Sequence, residues 1–301
     1  PVYEYVPLAK NDESVVCQYQ MTTLEELGLL KMDFLGLRNL TVLEDAAKMV
    51  RRYKPDFDIN TVPDDDANVF RMLAEGRTSG VFQLESGGMK DFMRKLKPSI
   101  LEEIIAGVSL YRPGPMSYIP AYITNKFNPD KIDYQHPKLV DILKTTYGIV
   151  VYQEQAMRIT QALAGYTLNE ADNFRKFISK KKVDQIPAQR KKFVDGCVKN
   201  NISEEFALSM WNKLEEFGRY AFNKSHAAAY SVLTYQTAYL KHYYPVEYLC
   251  SVINNRITNP VDTAKYLRLI KEMGITLYQP DINHSEGLFV PEKDGIRYGL
   301  A

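Results

Sequence analysis

Cysteine, histidine and tryptophan are all scarce in these 301 residues, at three, four and one. Cys17, Cys197 and Cys250 lie far apart, form no CxxC and are odd in number. That pattern excludes a disulfide framework or a zinc ribbon and points to a reducing compartment, which we read as cytoplasmic. His136, His242 and His284 stand at no ligand-like spacing from any cysteine or acid. There is no excess of charge either: the net value is +1, so the molecule is not a polycation and any nucleic-acid footprint has to be local. Apolar runs are too short for a membrane span and no signal peptide opens the chain, so no membrane partner is expected. A GxSxG elbow, a Walker lysine loop, a His/Cys dyad, internal repeats and low-complexity tracts are missing too.

What is present is an ordinary core-forming composition, 45% hydrophobic and 25% charged, in a length that suits two domains or one large domain with an appendage. The chain opens at Pro1 and stops at Ala301 just after the strand-like "GIRYGL", and both ends read as cuts in something longer. The first forty residues carry short apolar runs, "ESVVCQYQM" and "GLLKMDFLGL", which read as strands. Helix signals follow. Ser99 with Glu102, and Thr167 with Glu170, have capping-box spacing ahead of apolar runs. "HAAAYSVLTYQTAYLKHYY" predicts a long helix ended by Pro245, and "DTAKYLRLIKEMG" one running from an Asp262 cap to Gly274. The fold class is therefore mostly α (α+β), a short β-containing piece before a large helical domain.

Several stretches invite a chemical role. "KPDFDIN" sets Asp56 and Asp58 one residue apart, which on a strand would place two carboxylates on one face, as a divalent-cation site needs. From Arg175 to Lys192 there are eight basic residues and a single acid, Asp184. At helical spacing Leu168, Ala171, Phe174 and Ile178 share a side, Lys176 and Lys180 lie opposite, and Arg175 sits at the margin. Such a face can grip a triphosphate or a nucleic-acid backbone, although basic helix faces are usually only solvated. Asp33 lies in an apolar run with Lys31 two residues before it, and calls for a partner: a metal, or a salt bridge with Arg38. His226 stands with Lys224 and Ser225 at a helix start, where backbone N–H groups favour anions. The 21 tyrosines could stack on bases or serve as half-buried core edges.

In this order and at these intervals, "LLKMDFLGLRNL", "GVFQLES", "YRPGP", "YGIVVYQEQ", "AFNKSHAAAY" and "QPDIN" resemble one family, the alpha subunits of bacterial DNA polymerase III, the C family of replicative polymerases. The resemblance covers essentially the whole chain. It is closer to the form in which palm, thumb and fingers follow each other simply than to the form with an inserted exonuclease.

The resemblance implies a palm end over residues 1–40, a fingers core over 41–255 and a distal fingers subdomain over 256–301. It implies roles as well. Asp33 matches the third metal-binding palm aspartate, and Lys31 the active-site lysine of the same segment. Arg175 matches an arginine that faces the incoming triphosphate; Lys176 stands where some members carry a second arginine, keeping the charge and losing the fork. Tyr220 and His226, flanking "FNKS" with its Lys224, match residues lining the nucleotide pocket. Lys180, Lys182, Lys191 and Lys192 are then assigned to the DNA backbone. The family's other two aspartates belong to a PDxDxD strand well before "DFLGL", so Asp56 and Asp58 are look-alikes in a polar loop between helices. The intact enzyme would use two Mg²⁺ ions, primer–template DNA and deoxynucleoside triphosphates, and would meet a sliding clamp and other replisome subunits mostly through regions outside this chain. On this reading the piece alone, lacking two catalytic aspartates, has no polymerase activity. The alternatives are a non-enzymatic helical nucleic-acid-binding or clamp-loading scaffold, and a small stand-alone nucleotidyltransferase, which would need three well-placed acids.

Overall fold

The structure, a computed structural model, describes residues 1–30, 32, 35–180, 186–218 and 220–300. Two compact units divide it, Pro1–Arg38 and Asn39–Ala301. Helices dominate, with a few strands in small sheets.

In the first unit, β1 (Leu8–Asn11) and β2 (Ser14–Cys17) form an antiparallel hairpin that pairs Leu8 with Cys17 and Asn11 with Ser14. Asp12 takes a positive φ of 53° at the turn, a conformation Asp tolerates better than most residues. Helix α1 (Met21–Glu26) follows. The strand expected over "GLLKMDFLGL" does not form in its described residues, Gly28, Leu29, Leu30, Met32, Leu35, Gly36 and Leu37. An apolar run makes a strand only where a neighbour pairs its backbone, and among the described residues of this unit β1 and β2 pair only with each other.

The second unit has three apolar cores, two of which share the helix α12. Its elements are α2 (Arg38–Arg51), which opens at the boundary, α3 (Ala67–Ala74), α4 (Gly87–Leu96), α5 (Leu101–Leu110), α6 (Ile119–Phe127), α7 (Val140–Leu143), α8 (Gln153–Ala164), α9 (Leu168–Lys180), α10 (Ile186–Lys199), α11 (Glu204–Phe217), α12 (Lys224–Tyr243), α13 (Pro245–Asn254) and α14 (Pro260–Glu272). A three-stranded sheet closes it, with β5 (Gly295–Arg297) between β3 (Thr276–Tyr278), parallel, and β4 (Val290–Glu292), antiparallel. One core packs Ile159, Phe174, Phe193 and Trp211 from α8–α11. A second gathers α3–α6 with Tyr152 and with Ala227, Tyr235 and Ala238 of α12. The third joins Val42 of α2, Leu240 of α12, Tyr248 of α13, Tyr266 of α14 and Ile296 of β5. Because α12 contributes to two cores, it is buried on most sides and hides Ser231, Thr234, Thr237 and Lys241 as well as apolar groups. The periodic apolar stripe of a surface helix is accordingly missing there.

Local signals place the helix ends with two corrections. Thr167 and Glu170 do exchange capping bonds: the Thr167 N–H donates to Glu170 Oε2 at 2.8 Å and the Glu170 N–H to Thr167 Oγ1 at 3.3 Å. At α5, however, the Ser99 N–H donates to Glu103 Oε2 at 2.6 Å, one residue beyond the expected Glu102. At α14 the cap is Asn259, whose Oδ1 accepts from the Val261 and Asp262 N–H groups, rather than Asp262. Pro245 both ends α12 and opens α13, where its missing N–H costs nothing. "KPDFDIN" is a loop between α2 and α3, and Asp58 Oδ1 accepts the Asn60 N–H at 2.9 Å while Phe57 and Ile59 pack into the third core.

Candidate functional site: a loop–helix junction beside a basic helix pair

Four of the motif segments converge at the start of α12. Arg112, in "YRPGP", lies half-buried; its Nε donates to Ser109 O at 2.9 Å, its Nη2 donates to Tyr220 O, and its guanidinium lies 4.2 Å from the centre of the Phe222 ring. Burial holds Arg112 below its ordinary value. The loop can pass this close because of Gly114: at φ +100° it is in a region that strains other residues, and a Cβ there would meet Tyr220 Cβ at 3.4 Å. Tyr220 donates its hydroxyl to Tyr118 at 2.6 Å, and Tyr118 reaches Glu216 at 3.3 Å. Burial, followed by the Tyr118 bond, pushes Tyr220 well above the ordinary phenol range, so it stays a neutral donor. A cavity of about 290 Å³ opens beside this pair, with Lys213 and Glu216 on its wall.

The "YGIVVYQEQ" segment docks on the other side. Tyr152 and Phe222 form a parallel bridge, and the Gln153 N–H donates to Phe222 O at 2.8 Å. Glu154 sits on the first turn of α12: it accepts from the Lys224 N–H at 3.0 Å and from Asn223 Nδ2 at 3.0 Å, complementing the helix's positive end. Asn223 Oδ1 caps the helix through the His226 N–H at 2.9 Å. The Lys224 ammonium reaches Glu102 of α5 at 3.1 Å. His226 is exposed and its ring lies tilted against Tyr230, centres 4.4 Å apart, and Tyr230 in turn meets Phe82 of "GVFQLES" at 5.5 Å. Beneath the junction is a buried ion pair: Lys126 lies 2.9 Å from Glu103, and Tyr147 donates to the same carboxylate at 2.7 Å. Burial pushes Glu103 upward, but Lys126, Tyr147 and the Ser99 N–H outweigh it and hold the group below the usual carboxylate range.

The basic run is arranged differently. Ala171, Phe174 and Ile178 are buried as the spacing requires, whereas Leu168, expected on that side, is 69% exposed at the first turn. Arg175 is half-buried and directs Nε and Nη2 to Asp172 Oδ1 at 2.9 and 2.8 Å; Lys176 takes the other oxygen at 2.7 Å. Those two cations, Lys176 first, draw Asp172 below its ordinary value. Lys192 bonds Glu170 at 2.9 Å, the strongest of the contacts that bring Glu170 down to about 2, and Lys191 bonds Asp195 at 2.6 Å. The acids that balance this run lie just outside it in sequence. Lys180 ends α9; its side chain, and all of Lys182, Lys31 and Asp33, lie outside the described residues. No group of three or more His, Cys, Asp or Glu able to hold a metal occurs among the described residues.

The structure thus gathers Tyr220, Lys224 and His226 around α12, and joins α9 to them through Gly218, where a Cβ would press on Ile178 at 2.7 Å. "QPDIN" lies apart, after β3, where Arg297 donates to Gln279 O at 2.7 Å. Arg112, Glu154 and Asp172 are functional candidates that the sequence alone did not single out. Asp172 could have been found from its spacing, three and four residues before Arg175 and Lys176. Arg112 could not, because its partner Tyr220 is 108 residues away.

Comparison with known proteins gives the family of the chain. The family model for the bacterial DNA polymerase III alpha subunit finger domain matches residues 39–201, and that for the bacterial DNA polymerase III alpha NTPase domain matches residues 1–36. The chain is 43% identical over 302 aligned residues to DNA polymerase III subunit alpha of Borreliella burgdorferi, covering 100% of this chain and 26% of that protein. It is 40% identical over 297 residues to DNA polymerase III subunit alpha of Staphylococcus aureus (strain COL), covering 98% of this chain and 28% of that protein. It therefore spans about a quarter of the length of the curated relatives it matches. The chain belongs to the bacterial DNA polymerase III alpha subunit family.

Proposed function

We propose that the chain is the nucleotide-facing part of a replicative DNA polymerase, which adds deoxynucleotides to a primer 3′ end. In this reading residues 1–40 end the palm, 41–255 form the fingers core and 256–301 a distal fingers subdomain. The observation that supports it most is the junction at α12. There a rigid set of loops, held by Arg112 and Glu154, presents Tyr220, Lys224 and the exposed His226 next to the helix that carries Arg175. Phosphoryl transfer needs positioning and charge neutralisation more than covalent chemistry from the protein. Arg175 and Lys176 are the triphosphate ligands of this reading, with Asp172 orienting both before the substrate arrives. Lys180, Lys182, Lys191 and Lys192 contact the template–primer backbone. Divalent metal, two Mg²⁺ ions in the intact enzyme, belongs to Asp33 with Lys31 beside it. The described residues supply no donor set for it. No described helix is long and apolar enough to cross a membrane. A cytoplasmic site of action, and contact with a sliding clamp, complete the proposal.

The test uses the full-length polymerase. Asp33→Ala should abolish primer extension, while the double substitution Asp56→Ala, Asp58→Ala should leave it near wild type, since Asp58 caps a turn. An equal loss from the double variant would mean that the metal had been assigned to the wrong acids.

A further inference from the structure

A second cavity, of about 670 Å³, lies away from the α12 start, between the loop preceding α4 and the helix α14. Its charged lining is Lys90, Lys265, Arg268 and Glu272, and Ser79, Val261 and Leu269 are also on its wall. Lys265 is committed to Glu85 at 2.6 Å. Lys90 donates to Ser79 Oγ at 2.6 Å and has no acid in ion-pair contact among the described residues. Arg268 is exposed and, among the described residues, makes neither an ion pair nor a side-chain hydrogen bond, although Glu272 is one turn away on the same helix. Arg268, and Lys90 with only one of its N–H donors given to Ser79, therefore line one space without a carboxylate in ion-pair contact among the described residues. Lys241 reports the same imbalance from beneath. Its ammonium is buried and bonds Arg77 O at 2.6 Å. Burial, then the positive charges of Arg77 and Lys90, bring it down to about 8 in spite of Glu85.

The geometry points to this cavity as a phosphate-binding site distinct from the α12 junction, with Arg268 and Lys90 as its ligands and Val261 and Leu269 offering apolar contact to whatever carries the phosphate. Arg supplies a planar fork and Lys a point charge, the pairing suited to phosphate oxygens. A space of this size falls within the range of about 300–1,000 Å³ typical of small-ligand sites. The phosphate has two possible sources, a nucleic-acid backbone or a free anion such as pyrophosphate.

The experiment measures fluorescence anisotropy of labelled oligo(dT) on the 301-residue chain over a salt series, and the melting temperature with pyrophosphate. Arg268→Glu is compared with Lys48→Glu, a reversal of the same sign on the exposed face of α2. Both positions are exposed, so neither variant threatens the core. For a backbone site, Arg268→Glu should weaken oligo(dT) roughly tenfold relative to Lys48→Glu and reduce the salt slope by about one contact's worth. For a free-anion site, pyrophosphate should raise the melting temperature of wild type and Lys48→Glu but not of Arg268→Glu. If Arg268→Glu matches Lys48→Glu in both measurements, the site does not exist. Loss of the α12 nucleotide role would leave each of these outcomes unchanged.

Discussion

The cations under the α12 junction and those on α9 and α10 are held by opposite means. Lys126 and Arg112 are drawn inside and satisfied by backbone carbonyls, a ring and one buried carboxylate: Lys126 donates to Leu96 O and Lys97 O at 2.9 and 2.7 Å besides meeting Glu103. Lys191 and Lys192 bond carboxylates in solvent, with side chains 76% and 48% exposed. Arg175, at 31%, is intermediate. A buried cation with fixed carbonyl partners is a structural pin, since removing its counter-charge leaves it stranded. A cation held by an exposed carboxylate can exchange that partner for a phosphate at little cost. The first region is held by buried contacts and the second by exposed ion pairs.

Glu103→Ala should give the largest effect on folding. It leaves Lys126, only 9% exposed, without its counter-charge, and should cost about 3–5 kcal/mol in denaturant unfolding. A loss below about 1 kcal/mol would erase the distinction between the two regions.

A subtler probe of the buried class is Lys241, 4% exposed with no carboxylate in ion-pair contact among the described residues. The unfolded chain keeps this proton up to its ordinary value of 10.5, while the folded protein releases it near 8. Between those values the unfolded state binds more protons, so the contribution is present above the upper value and is lost as pH falls through the lower one. Compared with Lys241→Met, wild type should gain about 1–2 kcal/mol between pH 7.5 and pH 9.5. Parallel stability curves would show that Lys241 is not held as a buried ammonium.

Smallest is the exposed pair. Lys191→Ala should change stability by no more than about 0.5 kcal/mol, yet in the full-length polymerase it should weaken DNA binding and lower the salt slope. A stability loss comparable to that of Glu103→Ala would make the pair structural.

How far these two regions could be read from sequence follows the same division. The apolar side of α9 and its Thr167 cap depend on neighbours within one turn, and the pattern places them. The family resemblance singled out Tyr220, Lys224 and His226, which lie together in sequence at the start of α12. The buried network was opaque, because Glu103, Lys126 and Tyr147 are joined over separations of 23 and 44 residues and no local spacing marks them. The shift from Glu102 to Glu103 at α5 has the same origin: Glu103 turns inward to Lys126, and Glu102 is left to meet Lys224. "GLLKMDFLGL" misled for the complementary reason, since its apolar pattern says nothing about whether a pairing strand is at hand.

The most direct test of the account is the dNTP kinetics of Arg175→Ala in the full-length polymerase, measured beside its melting temperature and primer–template affinity. Charge-assisted bonds to phosphate strengthen as charge shifts in the transition state. Losing one should lower kcat/KM for dNTP roughly tenfold to hundredfold, with melting temperature and DNA affinity nearly unchanged. An unchanged kcat/KM with a lowered melting temperature would contradict the account, making Arg175 a packing element tied to Asp172.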